Sequence, residues 1–316
     1  MNAFDAIYTN NKQALIEYLE SGDVNIKNER GMSLLHYAIV FDNLEIFDLL
    51  IENYININIQ DARGETPVHY CIINNKMGYL KNLIRHKADL SIKNADGQTP
   101  LFKACSLGRE EMVYLLLEST NFNLYERDAK NETVFMALVR SRNLTLLSKL
   151  QLDDKIIDEK NYIGESPLHI ACRAGDARIV QYLVDNKAFV NAKTSTGETP
   201  LFYAIQNHSL DCIDILIKYG AILDCKSTFG DSIYDNISTY DLQTYVNDKS
   251  EKYKAYLYHS NYPLHYAIIV ENYELVKKYC VIRNVNRMDT FGYTPLDIAI
   301  KIGNDRILSL LKQNLQ

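Results

Sequence analysis

The 316-residue chain lacks the features that mark membrane proteins and secreted proteins. It has no apolar run approaching the ~18 residues of a membrane-spanning helix, and its N-terminus, MNAFDAIYTNNK, has no basic segment followed by an apolar one. Six cysteines are scattered without any C-x-x-C pair, which indicates a reducing compartment and gives no zinc signature. We therefore expect no membrane contact and a cytoplasmic location, or the host cytoplasm if the protein is delivered as an effector.

The chain also lacks an excess of positive charge and the common catalytic motifs. Lys plus Arg is 34 and Asp plus Glu is 40, which gives a net charge of −6 and disfavours nucleic acid as a partner. G-x-G-x-x-G, G-x-x-x-x-G-K, H-E-x-x-H and G-x-S-x-G are all missing. We predict no cofactor, no metal site and no catalytic residue.

One repeat period runs through nearly the whole chain. Nine stretches share a G-x-T-P-L-H-x-A core, and consecutive stretches start 30 to 34 residues apart. They read GMSLLHYA from 31, GETPVHYC from 64, GQTPLFKA from 97, NETVFMAL from 131, GESPLHIA from 164, GETPLFYA from 197, GDSIYDNI from 230, SNYPLHYA from 260 and GYTPLDIA from 292. The period predicts stacked copies of one structural unit.

The sequence of a single unit predicts two helices and a projecting loop. A hydroxyl residue before proline, as at Thr66 and Pro67, is a helix-start signal. The polar pair Asn74 and Asn75 ends the first helix, and a second apolar-periodic segment, MGYLKNLI, follows from residue 77. A short extended stretch then turns the chain into the next unit. Because no unit can bury its helix faces alone, neighbouring units must stack.

The period and the T-P-L-H motif resemble the ankyrin-repeat family, whose unit is a 33-residue β-turn with two antiparallel helices. The resemblance covers essentially the whole chain. It implies an all-α fold, an ankyrin-repeat solenoid of stacked helix-turn-helix units with projecting β-hairpin loops. The expected organisation is N-terminal capping helices at 1–30, regular repeats at 31–229 with an irregularity at 119–160, a degenerate repeat or bend at 230–259, and C-terminal repeats with a cap at 260–316.

The histidines and cysteines fit structural positions of the repeat. Four histidines occupy the fourth place of T-P-L-H, where the ring can hydrogen-bond back to the threonine turn: His36, His69, His169 and His265. Three cysteines fall in the small-residue pocket of the first helix: Cys71, Cys105 and Cys172. His208 and Cys212 stand at i and i+4, but the core position of Cys212 argues against a metal ligand pair.

The residues beside the period-defining glycine form hairpin tips that stacking does not require. They are small or charged in the N-terminal units and become aromatic toward the C-terminus. Exposed rings in a row favour a covering partner, and Tyr and Phe are typical interface anchors. The candidate partner-binding residues are Phe229, Tyr256, Tyr258, Phe291 and Tyr293, flanked by Tyr162 and Ile163. The alternative is that these rings fold back on their own irregular units.

A second candidate surface lies on the inner face of the first helices, just before each helix ends. Its residues form an apolar stripe across the N-terminal units: Val40, Phe41, Ile73 and Leu107. Core packing explains the same pattern equally well.

The resemblance implies a non-enzymatic protein–protein interaction module, monomeric by itself, that binds a specific partner protein through its hairpin tips and concave helix face. An inhibitor, an immunity-type protein and an effector all fit this description. The alternative is an enzyme or a nucleic-acid binder that uses the degenerate segment 231–259. That segment contains acidic residues without a catalytic spacing, and its stretch 249–259 interleaves lysine with tyrosine.

Overall fold

The computed structural model describes residues 2–119, 123–150, 155–223, 225–237, 240–254, 262–280, 285–289 and 292–314. The chain divides into two compact units, residues 1–146 and 147–316. Up to residue 148 the helices are α1 Ala3–Tyr8, α2 Lys12–Leu19, α3 Leu34–Val40, α4 Leu44–Glu52, α5 Pro67–Ile73, α6 Met77–Arg85, α7 Pro100–Ser106, α8 Glu110–Ser119, α9 Val134–Arg140 and α10 Leu144–Ser148.

The second unit continues the pattern of helix pairs. Its described α-helices are α11 Pro167–Ala174, α12 Ala177–Asp185, α13 Pro200–Gln206, α14 Leu210–Lys218, α15 Tyr240–Lys254, α16 Pro263–Ile269, α17 Tyr273–Tyr279, α18 Pro295–Ile302 and α19 Asp305–Gln313. The second unit also has two short 3-10 helices, Ile156–Asp158 and Ile233–Asn236, and the second of them stands where other repeats begin an α-helix.

The repeat motif sets where the first helix of each pair begins and ends. All six prolines of the chain occupy the first position of a helix, where the missing N–H costs no hydrogen bond. The Thr133 hydroxyl caps α9 by accepting the N–H of Met136 at 3.1 Å. Asp42 and Asn75 adopt left-handed backbone angles, with φ of 58° and 56°, just after α3 and α5. This conformation stops the first helix and turns the chain into the second.

The core lies between stacked helices within each unit. In the first unit α3 packs against α5 and α5 against α7, while in the second α11 packs against α13 and α12 against α14. The apolar residue before the motif histidine, or before its equivalent, faces inward in five regular repeats: Leu35, Val68, Leu101, Leu168 and Leu201. Stacking therefore buries the helix faces that a single repeat cannot bury alone.

The loops between repeats turn back as hairpins with little β structure. Isolated antiparallel bridges join Lys27 to Ser33, Arg127 to Thr133 and Lys226 to Ser232. The fold is therefore helical with projecting hairpin loops, as the repeat pattern predicts.

The repeat beginning at Gly230 departs most from the pattern. The sequence predicts a hairpin region at 247–261, NDKSEKYKAYLYHSN, but the structure continues α15 as one 15-residue helix through Lys254, so the prediction is wrong for 247–254. Leu242 and Val246 lie one turn apart and are buried. The Lys249 ammonium pairs with Asp214 of α14 at 2.8 Å. These contacts support a longer helix in a segment that contains no Gly or Pro to stop it.

Candidate partner-binding surfaces

Large apolar side chains are exposed at two hairpin tips of the second unit. Tyr162 is 74% exposed, Ile163 53% and Phe229 78%. We call these three residues the tip cluster. The equivalent tips of the first unit carry alanine at the position of Tyr162, at Ala62, Ala95 and Ala129. At the position of Ile163 and Phe229 they carry charged residues, at Arg63, Asp96 and Lys130. The exposed rings that the sequence predicts at positions 162 and 229 are therefore present, on loops that the first unit builds without large apolar side chains at the same positions.

A backbone ladder fixes the spacing of the tips. The N–H of Ser195 donates to the carbonyl of Ile163 at 3.0 Å, and the N–H of Thr228 donates to the carbonyl of Thr196 at 2.8 Å. The same bond recurs in the first unit, where Ala62 donates to Arg30 at 3.1 Å. Consecutive tips are thus joined directly, and the tip cluster sits on a hydrogen-bonded frame.

Short polar side chains hold each tip in its turn. Asn161 Oδ1 accepts the N–H groups of Ile163 at 3.2 Å and Glu165 at 2.9 Å. In the repeat that contains Phe229, Ser227 Oγ accepts the N–H groups of Phe229 and Asp231, both at 3.2 Å. The backbone of the tip cluster is therefore preorganised.

A buried ion pair anchors the base of the first of these hairpins. Glu165 is 1% exposed, and its carboxylate pairs with Arg173 at the end of α11 and accepts from Asn161 Nδ2 at 3.1 Å. The Arg173 guanidinium also lies 5.8 Å from the centroid of the Tyr203 ring. With its charge matched and its oxygens bonded, this carboxylate has a structural role at the hairpin base.

The other predicted tip residues fall into two groups. Tyr256, Tyr258 and Phe291 lie outside the described residues. Tyr293 is half-buried, and its hydroxyl donates to the carbonyl of Lys187. Its ring therefore packs within the chain, unlike the solvated tip that the sequence predicts at this position.

The apolar stripe of the first unit is exposed. Val40 is 38% exposed, Phe41 42%, Ile73 38% and Leu107 43%. Tyr8, 68% exposed, extends the stripe, and its ring makes an edge contact with Phe41 at a centroid distance of 5.2 Å. Tyr8 is not among the residues predicted from the sequence, although the 33-residue step back from Phe41 leads to it.

The four motif histidines are structural groups that join neighbouring repeats. The backbone N–H of Ser33 donates to His36 Nδ1 at 3.1 Å, so Nε2 carries the proton and donates to the carbonyl of Glu65 at 3.1 Å. His169 makes the same pair of bonds, with Ser166 and with the carbonyl of Glu198. Burial lowers the pKa of His36 to about 4 and that of His169 to about 3. Both rings are therefore neutral near pH 7, as structural histidines in this position should be.

Burial also disfavours the charged form of the buried cysteine thiols. Burial raises the pKa of Cys71, Cys105 and Cys172 and raises that of Cys212 to about 11. Among the described residues, no group of three or more His, Cys, Asp or Glu side chains is arranged to hold a metal ion. The His208 and Cys212 spacing thus has no metal-binding cluster around it in that part of the chain.

The degenerate segment uses its charges internally where its side chains are described. Hydrogen bonds from the backbone N–H and hydroxyl of Ser232, at 2.6 and 2.8 Å, hold the Asp235 carboxylate and lower its pKa. Lys249 pairs with Asp214 and lies 5.2 Å from the centroid of the Tyr245 ring. These groups cap and dock helices, which gives no support to a catalytic or nucleic-acid site there.

Comparison with known proteins identifies the repeat. A family model described as ankyrin repeats (3 copies) matches residues 3–94, 35–128, 76–154 and 135–227. The ankyrin-repeat domain of Bcl-3, a member of the IκB family, is 23% identical over 69% of this chain and 100% of that chain, with a TM-score of 0.55. The human ASB11 ankyrin-repeat domain is 22% identical over 69% of this chain and 98% of that chain, with a TM-score of 0.59.

A search of curated proteins gave no match. Within the described residues, no helix has the length and apolarity needed to cross a membrane. The similarity to the two solved domains shows a shared fold. Since the family matches together span residues 3–227, most of the length of the chain, and agree with the observed helix pairs and hairpins, the chain belongs to the ankyrin-repeat family.

Proposed function

We propose that this protein is a non-enzymatic binding module that captures a specific partner protein with the tip cluster, Tyr162, Ile163 and Phe229. Ankyrin repeats are in general protein–protein interaction modules. The observation that carries the proposal is the exposure of three large apolar side chains on tips that the fold does not need them to occupy. The tip between them has Ser195 and Thr196 at the same positions, and the tips of the first unit have alanine or charged residues there.

The arrangement of the tip cluster favours protein binding over a fortuitous exposure. Tyr and Phe present a large contact area with few rotatable bonds, so their immobilisation costs little entropy. The backbone around them is already held by the tip-to-tip ladder and by the Asn161 and Ser227 turns. Preorganisation of this kind reduces the cost of binding. Tyr256, Tyr258 and Phe291 remain proposed extensions of the same surface from the sequence.

The exposed stripe of the first unit is a second candidate surface. Val40, Phe41, Ile73 and Leu107 are each about two-fifths exposed, and Tyr8 adds an aromatic ring at the end of the row. An extended apolar row of this kind fits the apolar side of a partner. Its residues are less exposed than the tip cluster, so we rank it second.

The test is affinity capture with matched variants of the full chain. Wild-type protein, Tyr162→Ala/Phe229→Ala and Phe41→Ala/Ile73→Ala are immobilised in parallel, and captured proteins are identified by mass spectrometry. Tyr54→Ala is the control, because Tyr54 is 93% exposed and belongs to neither the tip cluster nor the stripe. We expect the tip variant to lose the wild-type partner while its thermal unfolding midpoint stays unchanged.

With the partner in hand, each tip truncation should weaken binding by about 1–3 kcal/mol, which is the range of interface hot spots. Normal capture by the tip variant together with loss by the stripe variant would move the site to the first unit. The roles we propose, as an inhibitor, an immunity-type protein or an effector, then follow from the identity of that partner. We propose the cytoplasm, of the producing cell or of a host, as the place of binding.

A further inference from the structure

The last repeat contacts the loop edge of a repeat more than a hundred residues earlier. The Tyr293 hydroxyl donates to the carbonyl of Lys187, and the Tyr293 ring lies 6.4 Å from the Phe189 ring at an interplanar angle of 77°. Lys301 Nζ lies 4.2 Å from the Tyr293 ring centroid and 5.5 Å from the Phe189 centroid. One cation thus lies against both rings, in the geometry of cation–π contacts.

Two ion pairs reinforce this contact. Lys301 pairs with Asp158, at the end of the 3-10 helix that precedes α11. Lys193 pairs with Glu271 at 2.8 Å, and Asn304 Nδ2 donates to the other oxygen of Glu271 at 3.1 Å. The last two repeats are therefore joined to residues 158–193 by charge as well as by rings.

Position 189 carries an aromatic ring that is only 4% exposed. The equivalent residues are polar in the first unit, at Asn56 and Asp89, and apolar in the next repeat, at Ile222. At all four positions the backbone N–H makes the same kind of bond, to a side chain of the preceding repeat, at 2.8 to 2.9 Å. The local backbone is therefore constant, and at position 189 the Tyr293 ring of the last repeat lies against the side chain.

Position 158 departs from the repeat pattern. It corresponds to asparagine in three other repeats, where Oδ1 accepts the N–H of the next repeat: Asn25, Asn58 and Asn191. Asp158 Oδ1 makes that bond to Phe189, and its second oxygen pairs with Lys301. The Asp158 carboxylate therefore keeps the hydrogen bond from the Phe189 N–H and adds a negative charge that pairs with Lys301 of the last repeat.

The last repeat has matching changes. Tyr293 occupies the position that is Glu165 in the repeat from 164, and Lys301 occupies that of Arg173. In the earlier repeat this pair is an internal ion pair. In the last repeat the same two positions carry a ring and a cation that contact another part of the chain.

We propose that the described parts of the last two repeats, residues 262–280, 285–289 and 292–314, form a self-docked lid, anchored by Tyr293 and Lys301, that covers Phe189 and opens to expose it. A cavity of about 220 Å³ between the two parts, lined by Tyr219 and Tyr293 among others, leaves the contact less filled than a protein core. Separating the last repeat from this surface therefore costs less free energy than separating the halves of a close-packed core. Tyr162 and Ile163 stay exposed with the lid closed, so the lid is independent of the tip proposal.

Hydroxyl-radical footprinting of the full chain tests the lid, because it reports side-chain exposure. The opening variant is Lys301→Glu, which sets like charges against each other at Asp158 and removes the cation from both rings. Asp158→Asn is a milder variant that keeps the acceptor for the Phe189 N–H, as asparagine does in other repeats. Lys312→Glu is the control, an equal charge reversal at an exposed site of the same two repeats.

We expect Lys301→Glu to raise the oxidation rates of both Phe189 and Tyr293 about fivefold or more, and Asp158→Asn to raise them less. Lys312→Glu should match the wild type. Phe202, 1% exposed in the helix core, should stay protected in every variant. Equal protection of Phe189 in Lys301→Glu and wild type would overturn the proposal. A parallel rise at Phe202 would also overturn it, since the repeat itself would then have unfolded.

Discussion

The buried histidines make the stability of the array depend on pH in a direction that the structure fixes. Burial lowers the pKa of His169 to about 3, while the unfolded chain restores it to 6.5. As the pH falls below 6.5, the His169 side chain binds a proton in the unfolded chain before it does so in the folded chain. The contribution of His169 to the free energy of unfolding is therefore complete above pH 6.5 and declines steadily toward pH 3. Protonation in the folded state would set Nδ1–H against the N–H of Ser166, which already donates to that nitrogen at 3.1 Å.

The magnitude follows from the two pKa values. Between pH 7 and pH 5, one histidine with these values costs about 2 kcal/mol of unfolding free energy. Most carboxylates titrate below this interval, so the histidines dominate it. His36, with a pKa lowered to about 4, should contribute about the same amount in the first unit.

The assay is urea unfolding followed by far-UV circular dichroism at pH 7 and pH 5. We compare wild type with His169→Gln, and use His208→Gln as a control at an exposed position. The His169→Gln protein should be less stable at pH 7, but it should lose about 2 kcal/mol less than wild type on going to pH 5. If wild type and His169→Gln lose the same amount, the His169 ring does not carry the linkage that its burial predicts.

Two further predictions concern the regular repeat that begins at Gly164. Leu168→Asp should cost several kcal/mol in a urea titration, because it places an unpaired charge at a fully buried position; a loss below about 1 kcal/mol would contradict the packing register. Gly164→Ala should lower the unfolding midpoint more than Gly230→Ala, because both glycines have positive φ but only at Gly164 would a Cβ lie 2.6 Å from a backbone atom, the nitrogen of Ser195. Equal shifts for the two alanine variants would show that the close approach of the tips has no energetic effect.

The sequence was sufficient for the parts of the fold that are local and repeated. A hydroxyl followed by proline sets a helix start wherever it occurs, so α5, α7, α11 and α13 begin where the motif predicts. The motif histidines were also predictable, because their bonds reach only their own helix start and the next repeat. Extending the same period would also have found Tyr8.

The remaining features depend on geometry that a period does not encode. The sequence did not predict that α15 extends to Lys254, because a charged segment without Gly or Pro is compatible with either a loop or a helix. The burial of Leu242 and Val246 in the folded chain favours the helix. The position of Tyr293 was missed because its contacts lie 106 residues away, at Lys187. The stripe through Phe41 and Ile73 was left undecided because apolar residues at a helix end give the same pattern whether they are covered or exposed.

The backbone ladder between hairpin tips has a consequence for how such a chain changes over generations. The distance from one tip to the next is set by main-chain groups, such as the N–H of Ser195 and the carbonyl of Ile163, which every residue except proline supplies in full. A mutation at a tip side chain therefore leaves the positions of the neighbouring tips unchanged and rarely threatens folding. Selection can alter one tip at a time, so that a lineage acquires a new binding preference through viable single substitutions.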